Sequence, residues 1–459
     1  MRRVEEGGHP SLGKALSIIR IPHGSCGCRA SITIPTMNTA QISYAHMNAT
    51  VNPKHVDSLL RFFEQGCTDA SHEGYGVEIE HLPVSNADDA AVGYYGDAGI
   101  EVLLHRLRPF YDKSEEYWDN GRLVGLGREG VSVSLEPGAQ LECSLGVIHR
   151  IDELRSLYRA FRSEVDPIAD ELGFRLVNYG YQPQSSWRDV RVNPKSRYDA
   201  MTDYLGRVGQ YGLCMMRCSA ATQISIDYCD ERDALAKLRI GTAIGPITAW
   251  FFRNSPYFEG RDNPYPLLRQ RMWDAIDPQR TGIIPGLYDE RFGWEDYAVD
   301  VLSTPMMFAD LTHTPEAADL PVAQQHRAAF RDNAAEVYPD REFNAYEINH
   351  VLSTHFNDVR LKNFVELRHW DSLPLPRVGR LMEMVSSLFY RDEQFSRLTS
   401  YFDGVNELDV LAAKADLQAH GQDSKPYGQP LEFWKEFLGL EGLLSDVPGD
   451  DAHPEVFQA

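Results

Sequence analysis

Glu78 and Glu80 stand two residues apart in the stretch YGVEIEHLPV (75–84), among Val77, Ile79, Leu82 and Val84. In an extended strand, residues two apart point to the same face. The spacing therefore predicts two like charges side by side on one face of an otherwise apolar strand. A second acidic set lies in VSVSLEPGAQLECSLG (131–146), where alternating apolar and polar residues flank Pro137-Gly138. That pattern predicts a hairpin with Glu136 on one shoulder and Gln140 and Glu142 on the other. A fifth carboxylate, Glu366, sits in the alternating stretch FVELR beside Arg368. Taken alone, Glu78 and Glu80 read as a solvated strand face. Five such residues in segments of otherwise buried character ask for more. Two carboxylates about 4 Å apart repel by roughly 4 kcal/mol at an effective dielectric near 20. In a dry site they would take up protons or unfold it. A hard divalent cation removes the conflict, and Mg²⁺ prefers oxygen ligands and commonly binds together with phosphates. The chemistry implied is a metal platform on a sheet.

The rest of the composition narrows the partners. The 459 residues carry 67 acidic against 45 basic side chains, a formal net charge of −22. Such a balance argues against nonspecific nucleic-acid binding and against anionic membranes. An anionic substrate would need a local pocket of arginine or metal. No run of 18 apolar residues predicts a membrane-spanning helix, and the first residues, MRRVEEGGHP, lack the apolar core of a secretion signal. Seven cysteines, scattered apart from Cys26-Gly27-Cys28, fit a reduced, cytoplasmic protein rather than a disulfide scaffold. The stretch GHPSLGKA (8–15) nearly fits a phosphate-cradling loop, but Ala15 stands where the Mg²⁺-binding hydroxyl belongs.

Positioning elements follow from periodicity. Helices are predicted over 53–65, 97–112, 151–172, 197–212 and 230–252, the last capped by Asp230. Residues 215–228 read as β-like around Gln223, and 356–368 ends in a strand-like alternation. The stretch 255–300 reads as loop-rich, and 376 onward as helical, including 431–444. Residues 1–50 read as a poorly ordered lead-in, 51–445 as a single catalytic domain and 446–459 as a loose tail.

Six ordered blocks give a resemblance. GVEIE looks like the first glutamate strand of the plant-type glutamate–cysteine ligases, a family also found in bacteria. SLEPGAQLECS is similar to its SLEPGGQFELS. NPKSRYDAM with GLCMMRCSAATQISID follows MPKGRYDIM with GLDMMLRTCTVQVNLD. FFRNSPYFEG matches FANSPFTEG, LRQRMWDAIDPQRTGIIP follows MRSHIWTDTDKDRTGMLP, and VRLKNFVELR matches VRLKRYLEMR. The resemblance runs from about residue 75 to about 390.

It implies an α+β fold with a glutamine-synthetase-like, curved, mostly antiparallel sheet surrounded by helices. It implies a ligase that uses ATP and two or three Mg²⁺ ions to phosphorylate the γ-carboxylate of glutamate. The amino group of cysteine then attacks, giving γ-glutamylcysteine, the first step of glutathione synthesis. Glu78, Glu80, Glu136, Glu142 and Glu366 would hold the metals and Gln223 would point into the same site. Arg368 would meet the transferring phosphate, with Lys362 as a second phosphate candidate. Arg269 would clamp the glutamate α-carboxylate, with Arg217 as a further substrate-anion candidate. The assembly would be a monomer or a homodimer.

The chain departs from the pattern in places. The family's NLD is Ser225-Ile226-Asp227, its ALDVPMYF is VLSTPMMF with Ser303 at the aspartate position, and its RGADGGP is RHWDSLP (368–374). These departures keep two alternatives open: a different amine substrate, or a noncatalytic glutamate- or nucleotide-binding relative.

Overall fold

The computed structural model describes residues 50–69, 71–320 and 325–441. The expected lead-in (apart from Thr50) and the tail lie outside the described residues. The centre of the molecule is β1 (Tyr75–Ser85). Tyr75, Val77 and Ile79 are at most 2% exposed, while Gly76 and Glu78 between them are half-buried. This alternation makes β1 two-faced, and its neighbours repeat it.

The strands that surround it are β2 (Glu116–Asp119), β3 (Arg122–Arg128), β4 (Val131–Leu135), β5 (Leu141–Ile148), β6 (Phe174–Val177), β7 (Ala221–Ile226), β8 (Val359–Leu361) and β9 (Val365–Asp371). Together they form a nine-stranded sheet in the order β8-β9-β7-β1-β5-β4-β3-β2, with β6 paired to the far end of β1. Every pairing in it is antiparallel. The expected α+β class with a mostly antiparallel sheet is what the chain adopts.

Register fixes which side chains share a face. Glu78 lies opposite Gln223 on β7 and Ser144 on β5, Glu80 lies opposite Glu142, and Glu366 on β9 lies opposite Ser225 and Arg360. The other face carries Val77, Ile79, Val133, Cys143, Leu145, Ile224, Ile226, Val365 and Leu367, all buried. Burying each aliphatic side chain contributes roughly 1.5–3 kcal/mol. A one-residue slip would exchange the two faces, so the apolar set locks the polar one in place.

Helices cover the apolar face. Ile151–Glu171 packs on β5 and β6, and Glu231–Phe251 packs on β9. The second helix begins where expected, with the Asp230 carboxylate accepting from the Asp233 N–H. It lies close to the sheet because Gly241 and Gly245 carry no side chain. A Cβ at Gly241 would come within 2.8 Å of Leu367, and one at Gly245 within 2.1 Å of the His369 ring.

Several expected boundaries move. The helix predicted over 197–212 is only Ser196–Leu205. Gly209 takes a positive φ of 61°, and the Gln210 N–H leaves the helix direction to bond Ala275 O. Residues Met215–Cys218, the start of the stretch read as β-like, belong instead to a short helix, Gly212–Cys218, closed by Ser219, whose N–H and hydroxyl both donate to Met215 O. Strand begins only at Ala221. The helix expected over 97–112 is Ile100–Leu107, where Pro109 brings a tighter turn. The one expected over 431–444 ends at Phe437. The loop-rich stretch 255–300 holds two helices, Leu268–Asp274 and the start of Trp294–Ser303.

Candidate active site

The polar face of the sheet runs from cations at the β8–β9 end to carboxylates over β1 and β5. At the cationic end Glu366 is fully buried. Arg360 grips it with a two-pronged fork, Nε to Oε2 at 2.7 Å and Nη2 to Oε1 at 3.0 Å. Arg368 Nη1 donates to Oε2 at 2.9 Å and Lys362 Nζ to Oε1 at 3.4 Å. Burial opposes ionisation of Glu366, yet Arg360, Lys362 and Arg368 together hold it well below the usual carboxylate range. Burial in turn pulls the Lys362 ammonium downward, and Arg360 adds to that.

Two strands away the situation reverses. Gln223 Nε2 donates to Glu78 Oε2 at 3.1 Å and to Glu80 Oε1 at 3.2 Å. The Ala221 N–H donates to Glu80 Oε2 at 2.7 Å, and Ser134 and Ser144 hydroxyls both donate to Glu142 Oε1 at 3.0 and 3.1 Å. These neutral donors do not cancel the charge. Burial, then Glu142 and Glu366, push Glu78 up to about 8. Burial and then Glu136 raise Glu80 well above its ordinary value, and the same two causes raise Glu142.

Glu136 sits in the turn before β5. Its N–H bonds Gln140 O at 3.0 Å, and its own carbonyl accepts from Asn193 Nδ2 at 2.7 Å.

Two further cations approach from outside the sheet. Arg269, on the helix Leu268–Asp274, is 6% exposed and donates from Nε to the Arg368 carbonyl at 3.0 Å. Burial lowers it to about 10, with Glu80 as the main opposing charge. Lys195 donates to Leu135 O at 2.7 Å and feels Glu136 and Glu142. Arg217 is engaged elsewhere: its guanidinium lies 5.6 Å from the Trp187 ring and donates to Trp187 O at 3.3 Å.

The structure thus gathers Glu78, Glu80, Glu142 and Gln223 directly, with Glu136 near enough to raise two of them. It places Glu366, Lys362 and Arg368 on the same face, and Arg269 at its border. Arg360 and Lys195 have no place among the predicted site residues. Arg360 carried a signal, since VRLK sets it two residues before Lys362 on the same strand face. Lys195 comes from a loop and carried none beyond its place in the NPKSRYD block.

A divalent cation can be tested against this donor set. Among the described residues, no group of three or more His, Cys, Asp or Glu side chains is arranged to hold a metal as it stands. The reason is local: the Gln223 amide lies between Glu78 and Glu80, and Glu366 is enclosed by three cations. Donor chemistry nevertheless fits at Glu78, Glu80, Glu136 and Glu142, buried or half-buried carboxylates that outnumber the two cations approaching them, Arg269 and Lys195. At Glu366 it fits poorly, because that charge is already balanced.

Residues 75–415 match glutamate-cysteine ligase family 2, GCS2. Over 349 residues the chain is 29% identical to the chloroplastic glutamate–cysteine ligase of Arabidopsis thaliana, covering 74% of this chain and 64% of that protein. It is equally 29% identical over 359 residues to glutamate–cysteine ligase B, chloroplastic, of rice (Oryza sativa subsp. japonica), covering 76% of this chain and 68% of that protein. The chain therefore spans about two thirds of the length of these relatives. Among solved structures it is similar to a glutamate–cysteine ligase from Francisella tularensis in complex with AMP. That similarity has a TM-score of 0.43 and 12% identity, over 80% of this chain and 76% of that one. With the match running through every strand of the carboxylate face, this chain belongs to glutamate–cysteine ligase family 2.

Proposed function

We propose that this chain phosphorylates the γ-carboxylate of glutamate with ATP and joins it to the amino group of cysteine, giving γ-glutamylcysteine, ADP and phosphate. One observation carries the reading. A single sheet face holds buried and half-buried carboxylates that outnumber the cations approaching them, beside a row of cations, the two halves a phosphoryl-transfer site needs. When bound, two or three Mg²⁺ ions would supply positive charge that offsets the charge developing on the phosphoryl group. Glu78, Glu80, Glu136 and Glu142 are the residues that would hold them.

The chain's own groups do the rest. Arg368 and Lys362 offer positive charge to the transferring phosphoryl group, while Glu366 and Arg360 fix where those cations stand. Gln223 holds the Glu78 and Glu80 carboxylates in relative orientation. Arg269, a planar fork already braced on the Arg368 carbonyl, suits the α-carboxylate of glutamate. The cysteine nitrogen attacks the acyl phosphate carbon, the C–O bond to phosphate breaks, and the ammonium proton leaves. Water must be kept out for as long as the acyl phosphate lives. The five cysteines among the described residues are all free, which supports a reducing, cytoplasmic setting. No helix among the described residues is long and apolar enough to cross a membrane.

The test is ADP release with glutamate, ATP, Mg²⁺ and cysteine, followed by product mass. Dependence on all four and a mass matching γ-glutamylcysteine support the reading. Folded protein that releases ADP equally without glutamate, or not at all with any amine, refutes it.

A further inference from the structure

The helix Leu268–Asp274, which carries Arg269, has little of its own to hold it in place. It has 7 residues, fewer than the roughly 12 at which isolated helices begin to persist. Its N-cap, Leu267, makes no side-chain bond to the first N–H groups. It ends on an acid, Asp274, where the helix dipole favours a cation. Support comes instead from a helix about 140 residues further along the chain.

That second helix, Glu407–His420, presents Lys414 and Gln418 on one side, since residues four apart share a helix face. Gln418 Nε2 donates to the Leu267 carbonyl at 2.8 Å and fastens the front of the short helix. Lys414 Nζ donates to Asp274 Oδ1 at 2.6 Å and fastens its back. The same ammonium donates to Asp358 Oδ2 at 2.8 Å. Asp358 immediately precedes β8, and its carbonyl accepts from the Arg368 N–H at 3.2 Å. One side chain, on a residue 3% exposed, therefore joins the helix that carries Arg269 to the residue that holds the Arg368 backbone. The Arg368 carbonyl in turn accepts from Arg269 Nε at 3.0 Å.

One end of this tie sets the chain apart from its family. In the block LRQRMWDAIDPQRTGIIP, Asp274 stands where the pattern MRSHIWTDTDKDRTGMLP has threonine. A threonine hydroxyl offers the ammonium no charge. The Asp274 side chain is 37% exposed, so replacing it opens no hole in the core and leaves the Lys414–Asp358 pair standing.

We infer that Lys414 is a positioning residue: by holding Asp274 and Asp358 together it sets the Arg269 guanidinium against the Arg368 backbone, with Gln418 fixing the other end of the same helix. The inference rests on the ligase reading above, in which Arg269 receives the α-carboxylate of glutamate. It adds that the affinity for glutamate is set in part by a helix that contributes no group to the carboxylate face. A planar fork meets a carboxylate through two parallel bonds, and a small displacement of the helix beneath it loses them.

The test is a set of variants in steady-state kinetics. Asp274→Thr cuts the tie and should raise the KM for glutamate about fivefold, with the KM for ATP within about twofold of wild type. Gln418→Leu should act in the same direction, and Asp274→Glu should restore most of the affinity. The combined change Lys414→Met, Asp274→Thr and Asp358→Asn removes the ammonium with both of its carboxylates and should raise the KM for glutamate at least as far. Built into Arg269→Lys, Asp274→Thr should add less than about twofold, because the fork it positions is already gone. A KM for glutamate within about twofold of wild type in folded Asp274→Thr overturns the inference. So does an equal rise in both KM values, or the full effect repeated in the Arg269→Lys background, since either reports general loosening. Should wild-type enzyme form no γ-glutamyl product, the ligase reading fails by itself and amide hydrogen exchange decides the positioning. Faster exchange over residues 271–276 in Asp274→Thr, with the helix Glu231–Phe251 unchanged, supports it, and exchange equal to wild type refutes it.

Discussion

Replacing Glu78 with glutamine should stabilise the metal-free protein, and by an amount that depends on pH. Glu78 is displaced from an ordinary value of 4.5 to about 8, first by burial and then by Glu142 and Glu366. A carboxyl group whose folded value is raised binds more protons folded than unfolded between those two limits. Stability then falls as pH rises from 4.5 to about 8. Each tenfold change in proton affinity is about 1.4 kcal/mol, so the displacement caps the loss at roughly 5 kcal/mol. Glu78 keeps some solvent contact and shares its repulsion with Glu142 and Glu366. The expected gain in Glu78→Gln is therefore roughly 1–3 kcal/mol at pH 8, shrinking to nothing near pH 4.5. The glutamine keeps an acceptor for Gln223 Nε2, so that hydrogen bond is not what changes. Urea denaturation from pH 5 to pH 8 without divalent ions measures the difference. Repeating it with saturating Mg²⁺ should reverse the order, because the wild type gains more from the cation it can hold. A variant less stable than wild type at pH 8 without metal, or equally displaced at every pH, would show that the carboxylates are not in electrostatic conflict. The metal assignment would fall with it.

Glu366→Gln should do the opposite: three buried or half-buried cations lose their shared counter-charge, and about 3–5 kcal/mol of stability at neutral pH should go with it. Denaturation curves check this, and the paired change Arg360→Met with Glu366→Leu should recover most of the loss. Gly245→Ala places a methyl group 2.1 Å from the His369 ring and should cost about 1–3 kcal/mol. Adding His369→Gly should restore the melting temperature if that clash is the cause. Arg269→Lys should raise the KM for glutamate about tenfold or more while leaving the KM for ATP nearly unaltered, since a point charge cannot replace a braced fork. Steady-state kinetics would show the split.

Much of the sheet could be read from residue order because its signal is local. Glu78 and Glu80 share a face by the two-residue period of a strand, Pro137-Gly138 marks a hairpin turn, and Asp230 caps the helix that it begins. These depend only on neighbours within a few residues. Read alone, the carboxylate spacing left open a solvated strand face, and burial among the packed strands decided that point. Residues Met215–Cys218 were misread because an apolar run without clear period fits helix and strand equally.

What the tertiary structure decided is partnership across distance. Whether Glu366 meets a metal or three cations depends on the β8–β9 register, which sets Arg360 opposite it. That register is chosen by which faces of Val359, Leu361, Val365 and Leu367 find the core. Lys195 reaches the carboxylates from a loop, and Arg269 meets the Arg368 carbonyl only because a short helix converges on β9. A side chain's type and its place on a strand face are properties of the chain itself. Its electrostatic environment belongs to segments brought together by burial of apolar surface elsewhere, and periodicity carries no information about those encounters.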